Sequence, residues 1–185
     1  QYWNLRSGKE GRVRISSTIE KIYSFDFISS GELVLSASEM GYVDLYRFTL
    51  RNRNLERLTE DYFDNRDVRY AKLGQREGVL FSSNRPNSLL IPQRRDTSVP
   101  LNRFDLFFLD LTPDAERIDR LTRTPNIDER SPVQSDDGYL FYRATHSGMQ
   151  RIFRGRFFSN IDTVGTVYEL STGRVIRLAK QRRLL

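Results

Sequence analysis

His146 is the only histidine among the 185 residues, and it limits what acid–base or nucleophilic chemistry the chain can do. In a Ser–His–Asp arrangement it would need a carboxylate on one ring nitrogen and a serine on the other. It lies instead in ATHSG (residues 144–148), a turn signal, and no GxSxG elbow exists. A turn residue is the better reading. The chain has no cysteine, so thiolate chemistry and a disulfide framework are excluded. There is no His/Cys cluster and no DxDxDG calcium loop. Asp136-Asp137-Gly138 reads as a turn before it reads as a cation site. No glycine-rich loop leads from a strand into a helix to hold phosphate. No catalytic residue, metal or cofactor is expected.

The residues that recur at fixed places point to architecture. GELVLSAS (31–38), GVLFSSNR (78–85) and GYLFYRAT (138–145) share an opening glycine, read as a turn, with leucine third (Leu33, Leu80, Leu140). The third strand of each unit follows: VDLYRFTL (43–50), FDLFFLDL (104–111) and QRIFRGRF (150–157). A short closing strand comes next, LERLT (55–59) and IDRLT (118–122), and a first strand precedes each glycine, YSFDFI (23–28), VRYAKL (68–73) and SPVQS (131–135). Four antiparallel strands repeated along a chain predict β-propeller blades. Asp44 and Asp105 occupy equal places in the repeat, as do Arg57 and Arg120. Recurrence assigns them to blade geometry, the arginines to blade-to-blade hydrogen bonds. Phe25, Phe81, Phe107, Phe141 and Phe153 fall on strands and are expected to fill the core between blades.

The fold expected is therefore all-β, with about three full blades plus terminal hairpins. Residues 1–18 read as the tail hairpin of a preceding blade, YWNL turning through SGKEG into RVRIS. Residues 18–59 form one blade, 59–122 a second, and 123–185 a third with a C-terminal hairpin and a basic tail. Either TVYEL (166–170) or RVIRL (174–178) can close the third blade. Three blades fall short of the ~4–8 of a closed propeller, and an open run leaves unpaired edges. The chain also begins without methionine or signal peptide. It is expected to be a piece of a larger propeller, completed by the rest of its own chain or by another copy.

One segment interrupts the repeat. Residues 86–102 (PNSLLIPQRRDTSVPLN) lie between two strands of the second blade and contain three prolines, which exclude a regular helix or central strand. Long loops on rigid scaffolds carry binding function, and Arg94, Arg95 and Asp96 are the candidate partner contacts. The net charge of +6 raises polyanion binding as a further possibility. Arginine is spread along the strands, however, which favours a solvated surface over a nucleic-acid site. With 38% apolar residues no segment approaches the ~20-residue apolar run of a membrane helix.

LFSSNRPN (80–87) with Gly78, the following FDLFFLD, the closing RLT motifs (57–59, 120–122) and DERSPVQSDDGYLFYRAT (128–145) together resemble TolB-type, WD-repeat-like β-propeller repeats. The likeness covers roughly residues 18–157. The first unit has Ala37-Ser38 where the pattern has Asn-Arg, and the first two units lack the Ser-Pro…Asp-Gly turn. The resemblance implies a periplasmic or outer-membrane-associated bacterial protein, similar to the large envelope proteins of Bacteroidetes-type bacteria, whose propeller binds other proteins without catalysis. The alternative it implies is a substrate-gating propeller beside a peptidase or hydrolase domain outside these residues.

Overall fold

The computed structural model describes residues 2–4, 8–88, 100–112, 117–156, 167–169 and 175–176. All regular structure among them is β-strand. The hairpin β1 (Tyr2–Asn4) and β2 (Lys9–Gly11) stands alone. Its return strand comes earlier than RVRIS, because Gly8 at φ 63° turns the chain directly before Lys9. Three meandering antiparallel sheets follow. The first holds β3 (Lys21–Ser29), β4 (Glu32–Glu39), β5 (Tyr42–Thr49) and β6 (Asn54–Arg57). The second holds β7 (Asn65–Leu73), β8 (Arg76–Ser83), β9 (Asp105–Asp110) and β10 (Ile118–Arg120). The third holds β11 (Asp128–Gln134), β12 (Tyr139–His146), β13 (Met149–Arg156), β14 (Val167–Glu169) and β15 (Val175–Ile176). Both C-terminal runs are therefore used: β14 pairs with β13 and closes the sheet, and β15 pairs with β14 as a fifth strand.

The sheets pack face to face, and strand alternation decides which residues meet. Val34 and Leu45 of the first sheet meet Val68, Val79, Phe81, Phe107, Leu109 and Ile118 of the second. The other face of the second sheet, Ala71, Leu80, Leu106 and Phe108, meets Leu140, Tyr142, Ala144 and Phe153 of the third. Full burial of one such apolar side chain contributes roughly 1.5–3 kcal/mol. The outer face of the first sheet (Leu35, Ala37, Tyr46, Phe48) is covered by Val13, Ile15 and Ile19. Phe81, Phe107 and Phe153 thus lie in the core as expected. Phe25 does not: it is 55% exposed on the outer face, and Phe141 is half-buried. Among the described residues, both sit on faces that no other sheet covers.

The sheets are stitched at their first strands. β7 and β11 each carry a bulge, between Arg66 and Arg69 and between Arg130 and Val133. Asp67 and Ser131 there take positive φ, 57° and 55°. A bulge frees backbone groups from the ladder. Here the freed groups meet the neighbouring sheet. Val68 N–H donates to Ser24 Oγ (2.9 Å) and Tyr70 N–H to Asp26 (3.0 Å). Ser131 N–H and Arg130 Nε donate to Asp67 (3.3 and 2.7 Å). Gln134 exchanges two bonds with the Lys72 backbone.

The glycine frame that guides the strand alignment hides a difference. Gly31 and Gly138 do occupy turns, but Gly78 is the third residue of β8. The turn before it is made by Gly74 at φ 67°.

Candidate functional site

Pairing brings Asn65, Ser83 and Asp105 to one end of the second sheet, since Asn65 faces Ser83 and Ser83 faces Asp105. The connection that contains residues 86–102 leaves from this end. Its stem is fixed: Leu101 N–H donates to Asn84 O (2.7 Å), and Arg120 Nη1 donates to Pro86 O (2.8 Å). Asn84 Oδ1 in turn accepts Asp64 N–H (2.8 Å) from the linker between the first two sheets. Arg94, Arg95 and Asp96 lie outside the described residues.

Beneath the stem lie two buried charge networks. In the first, Arg85 is 1% exposed. It is ion-paired with Asp61, and its guanidinium stands over the rings of Phe63 (5.6 Å) and Phe107 (5.8 Å). Asn65 Nδ2 donates to Asp61 (3.1 Å) and to Thr59 Oγ1 (3.3 Å), and Ser83 Oγ donates to Asn65 Oδ1 (2.8 Å). Thr59 Oγ1 accepts Leu45 N–H and donates to Asp44 (2.9 Å). In the second, Arg120 pairs with Asp105 and also stands over the Phe107 ring (5.8 Å). Leu106 N–H donates to Thr122 Oγ1 (2.9 Å), as Leu45 does to Thr59.

The arginines of the repeat do not reach between sheets. Arg57 binds Glu39 and the Tyr46 hydroxyl, with Asp44 at 3.9 Å. Arg120 binds Asp105, Pro86 O and Thr122 O. Each clamps the short closing strand of its own sheet to the strand beside it. The side chains that do bridge sheets include Ser24, Asp26, Ser36, Asp67, Arg69, Arg130 and Gln134. Arg85 and Asp61, the most buried ion pair here, carry no repeat signal: the first sheet has Ser38 and Glu39 near the place where the second has Asn84-Arg85. The sign in the sequence was a charged residue directly after an apolar strand and before proline.

Burial, with Asp61 nearby, pushes the Asp44 carboxyl up from 3.8 to about 7. The folded state then holds this proton more tightly than the unfolded chain. The stabilisation is full at low pH and is lost as pH rises from about 4 towards 7. Asp44→Asn keeps the oxygen that accepts from Thr59 and removes the buried charge. The variant is expected to show the parent's urea midpoint at pH 3.5 and a higher midpoint at pH 8. A lower midpoint at both pH values would show that the ionised carboxylate is the stabilising form.

Among the described residues no group of His, Cys, Asp and Glu is arranged to hold a metal ion. His146 ends β12, opposite Met149 across a tight turn in which Ser147 and Gly148 have positive φ (50° and 77°). Asp137 closes the β11–β12 turn with the Ser135 hydroxyl, which holds its carboxyl below the ordinary value. Many positive charges are neutralised in pairs such as Arg76 with Asp110 and Asp119, and Arg130 with Asp67. The networks tie together the blade end from which the 86–102 connection leaves.

The structure superimposes on the crystal structure of TolB from Acinetobacter baumannii with a TM-score of 0.59 at 16% sequence identity. The fold is that of a TolB-like β-propeller. Its three sheets are blades, and β3, β7 and β11 are their first strands. The match covers 98% of this chain and 37% of the TolB chain, so the blades span just over a third of that propeller protein's length. No protein-family model matches the chain, and no curated protein does. No helix among the described residues is long and apolar enough to cross a membrane.

Proposed function

We propose that the chain is a non-catalytic protein-binding module of a bacterial envelope protein, and that it engages its partner through the 86–102 loop. The observation that carries this reading is the anchored stem. The loop leaves and rejoins a blade end held by Asn84, Leu101, Pro86 and Arg120, so its middle can vary without loosening the blades. Arg94, Arg95 and Asp96 supply charge at its centre. Envelope location rests on the TolB likeness.

The experiment replaces residues 88–99 by a short Gly-Ser bridge and compares cross-linked capture of envelope proteins with the parent chain. The expected result is loss of capture with a nearly unchanged melting temperature, because the Leu101–Asn84 bond remains. Unchanged capture, or a chain that no longer folds, overturns the reading.

Further blades complete the ring in this reading. The first blade exposes Phe25 (55%) and Phe27 (51%), and the third exposes Ile152 (49%). In the interior of the run the corresponding surface is closed: Val68, on the first strand of the second blade, is fully buried against the first blade.

A further inference from the structure

Glu129 sits in the seam between the second and third blades where Asn65 sits between the first and second. Asn65 pairs with Ser83 near the end of β8, and Glu129 pairs with Ala144 near the end of β12. Each lies just before the bulge of its strand. Each faces the connector threonine whose hydroxyl accepts the backbone N–H after the repeated aspartate, Thr59 for Asn65 and Thr122 for Glu129. The position at Asn65 is served by a neutral amide that donates to Thr59 and Asp61.

Glu129 has the same surroundings without the amide's donor. It is 1% exposed. Oε1 accepts from the Thr124 hydroxyl (3.0 Å), the Thr122 hydroxyl also favours the charged form, and among the described residues Oε2 is buried with no hydrogen-bond partner of its own. The charged and titratable groups around it come from three strands. Asp105 of β9 is like-charged, Arg120 of β10 is a cation that acts on it, and Tyr142 lies on β12, the neighbouring strand of its own blade. Arg103 and Arg123 act on Asp105. Arg120 is already committed: Nη2 to Asp105, Nε to Thr122 O and Nη1 to Pro86 O. A buried carboxylate with no cation of its own is costly, and such a group keeps its proton instead.

We propose that Glu129 is a built-in pH-sensitive latch: protonated, it takes the amide's place and closes the seam between the second and third blades, and ionised, it loosens that seam. Burial pushes its carboxyl from 4.5 up to about 8. The folded chain therefore binds one more proton than the unfolded chain over that interval. Stability is greatest at the acid end and is lost as pH rises to about 8. For one proton the unfolding constant rises about tenfold per pH unit. Asp44 has lost most of its share by pH 7 and adds only about twofold from pH 7 to 8, so Glu129 carries the larger part of that interval.

The test is urea unfolding at pH 6, 7, 8 and 9 on the parent chain and on Glu129→Gln, which supplies the amide found at Asn65. The parent is expected to lose stability between pH 7 and 8 by about fivefold in the unfolding constant from Glu129. The variant is expected to keep only the roughly twofold change from Asp44 there and to be more stable than the parent at pH 9. The same slope in both proteins overturns the proposal. A carbon-13 titration of the Glu129 carboxyl in the parent is the second measurement. A midpoint near 8 supports the latch, and one near 4.5 overturns it even if the variant fails to fold.

Discussion

Arg85→Met is expected to destabilise the chain by about 3–5 kcal/mol, the range for removing one partner of a buried ion pair. Whole domains are stable by only ~5–15 kcal/mol, so the effect is large. Arg85 is 1% exposed and Asp61 4%. Once the guanidinium is gone, the Asp61 carboxylate has no cation and lies in the same network as Asp44. Methionine refills much of the volume between the Phe63 and Phe107 rings, so the loss reports charge more than cavity. Adding Asp61→Asn tests this. The amide keeps the acceptor used by Phe63 N–H and by Asn65 and removes the stranded charge. The double variant is expected to recover a large share of the loss, a coupling that a double-mutant cycle measures directly. Urea unfolding followed by circular dichroism reads all four proteins. A single variant within about 1 kcal/mol of the parent, the scale of an ordinary substitution, would mean that the pair does not hold the first and second blades together.

The blades were legible in the sequence because their strands obey a local rule. Apolar alternation in VDLYRFT, GVLFSS and DLFFLD needs only the period of a strand, and the turns between them are marked by glycine or short polar runs. The number of strands per sheet and their meander follow from those signals. What alternation does not give is which of two buried-looking faces meets another sheet. Phe25 and Phe81 are both aromatic residues on strands; one is 55% exposed and the other fully buried. The difference lies in whether a sheet is packed against that face, and no residue near Phe25 records it. The functional residues follow the same division. The 86–102 loop was legible from its length and prolines, because an insertion breaks a repeat. Arg94, Arg95 and Asp96 lie outside the described residues. Arg85, Asp61 and Glu129 were not legible as a site. Their partners come from different blades or from connectors, so their pairing depends on tertiary contacts that sequence spacing does not encode. Arg57 and Arg120 were read as blade-to-blade contacts for the same reason. A recurring residue says that it serves each blade, but not on which side.

Gly78→Ala is expected to cost about 3 kcal/mol, at the top of the range for overpacking a well-filled core, whereas Gly31→Ala is expected to be neutral or slightly stabilising. The two glycines open the same eight-residue frame in sequence. A Cβ at Gly31 meets nothing within 4 Å, and its φ is not in the left-handed region. Alanine there only restricts the unfolded chain. A Cβ at Gly78 meets Leu109 O at 2.2 Å and the Phe108 ring at 2.5 Å. Neither neighbour yields easily. Leu109 O is backbone in β9, held by the β8–β9 ladder that pairs Val79 with Leu109 and Gly78 with Asp110. Phe108 is fully buried in the cluster shared with the third blade. Making room at Gly78 therefore strains the second blade and the seam beyond it together. Parallel urea titrations of the two variants decide the matter. A midpoint far lower for Gly78→Ala than for Gly31→Ala is the expected outcome. Equal midpoints would mean that Gly78 is a turn glycine after all, and that the close approach of β8 to Phe108 is not a fixed feature of the fold.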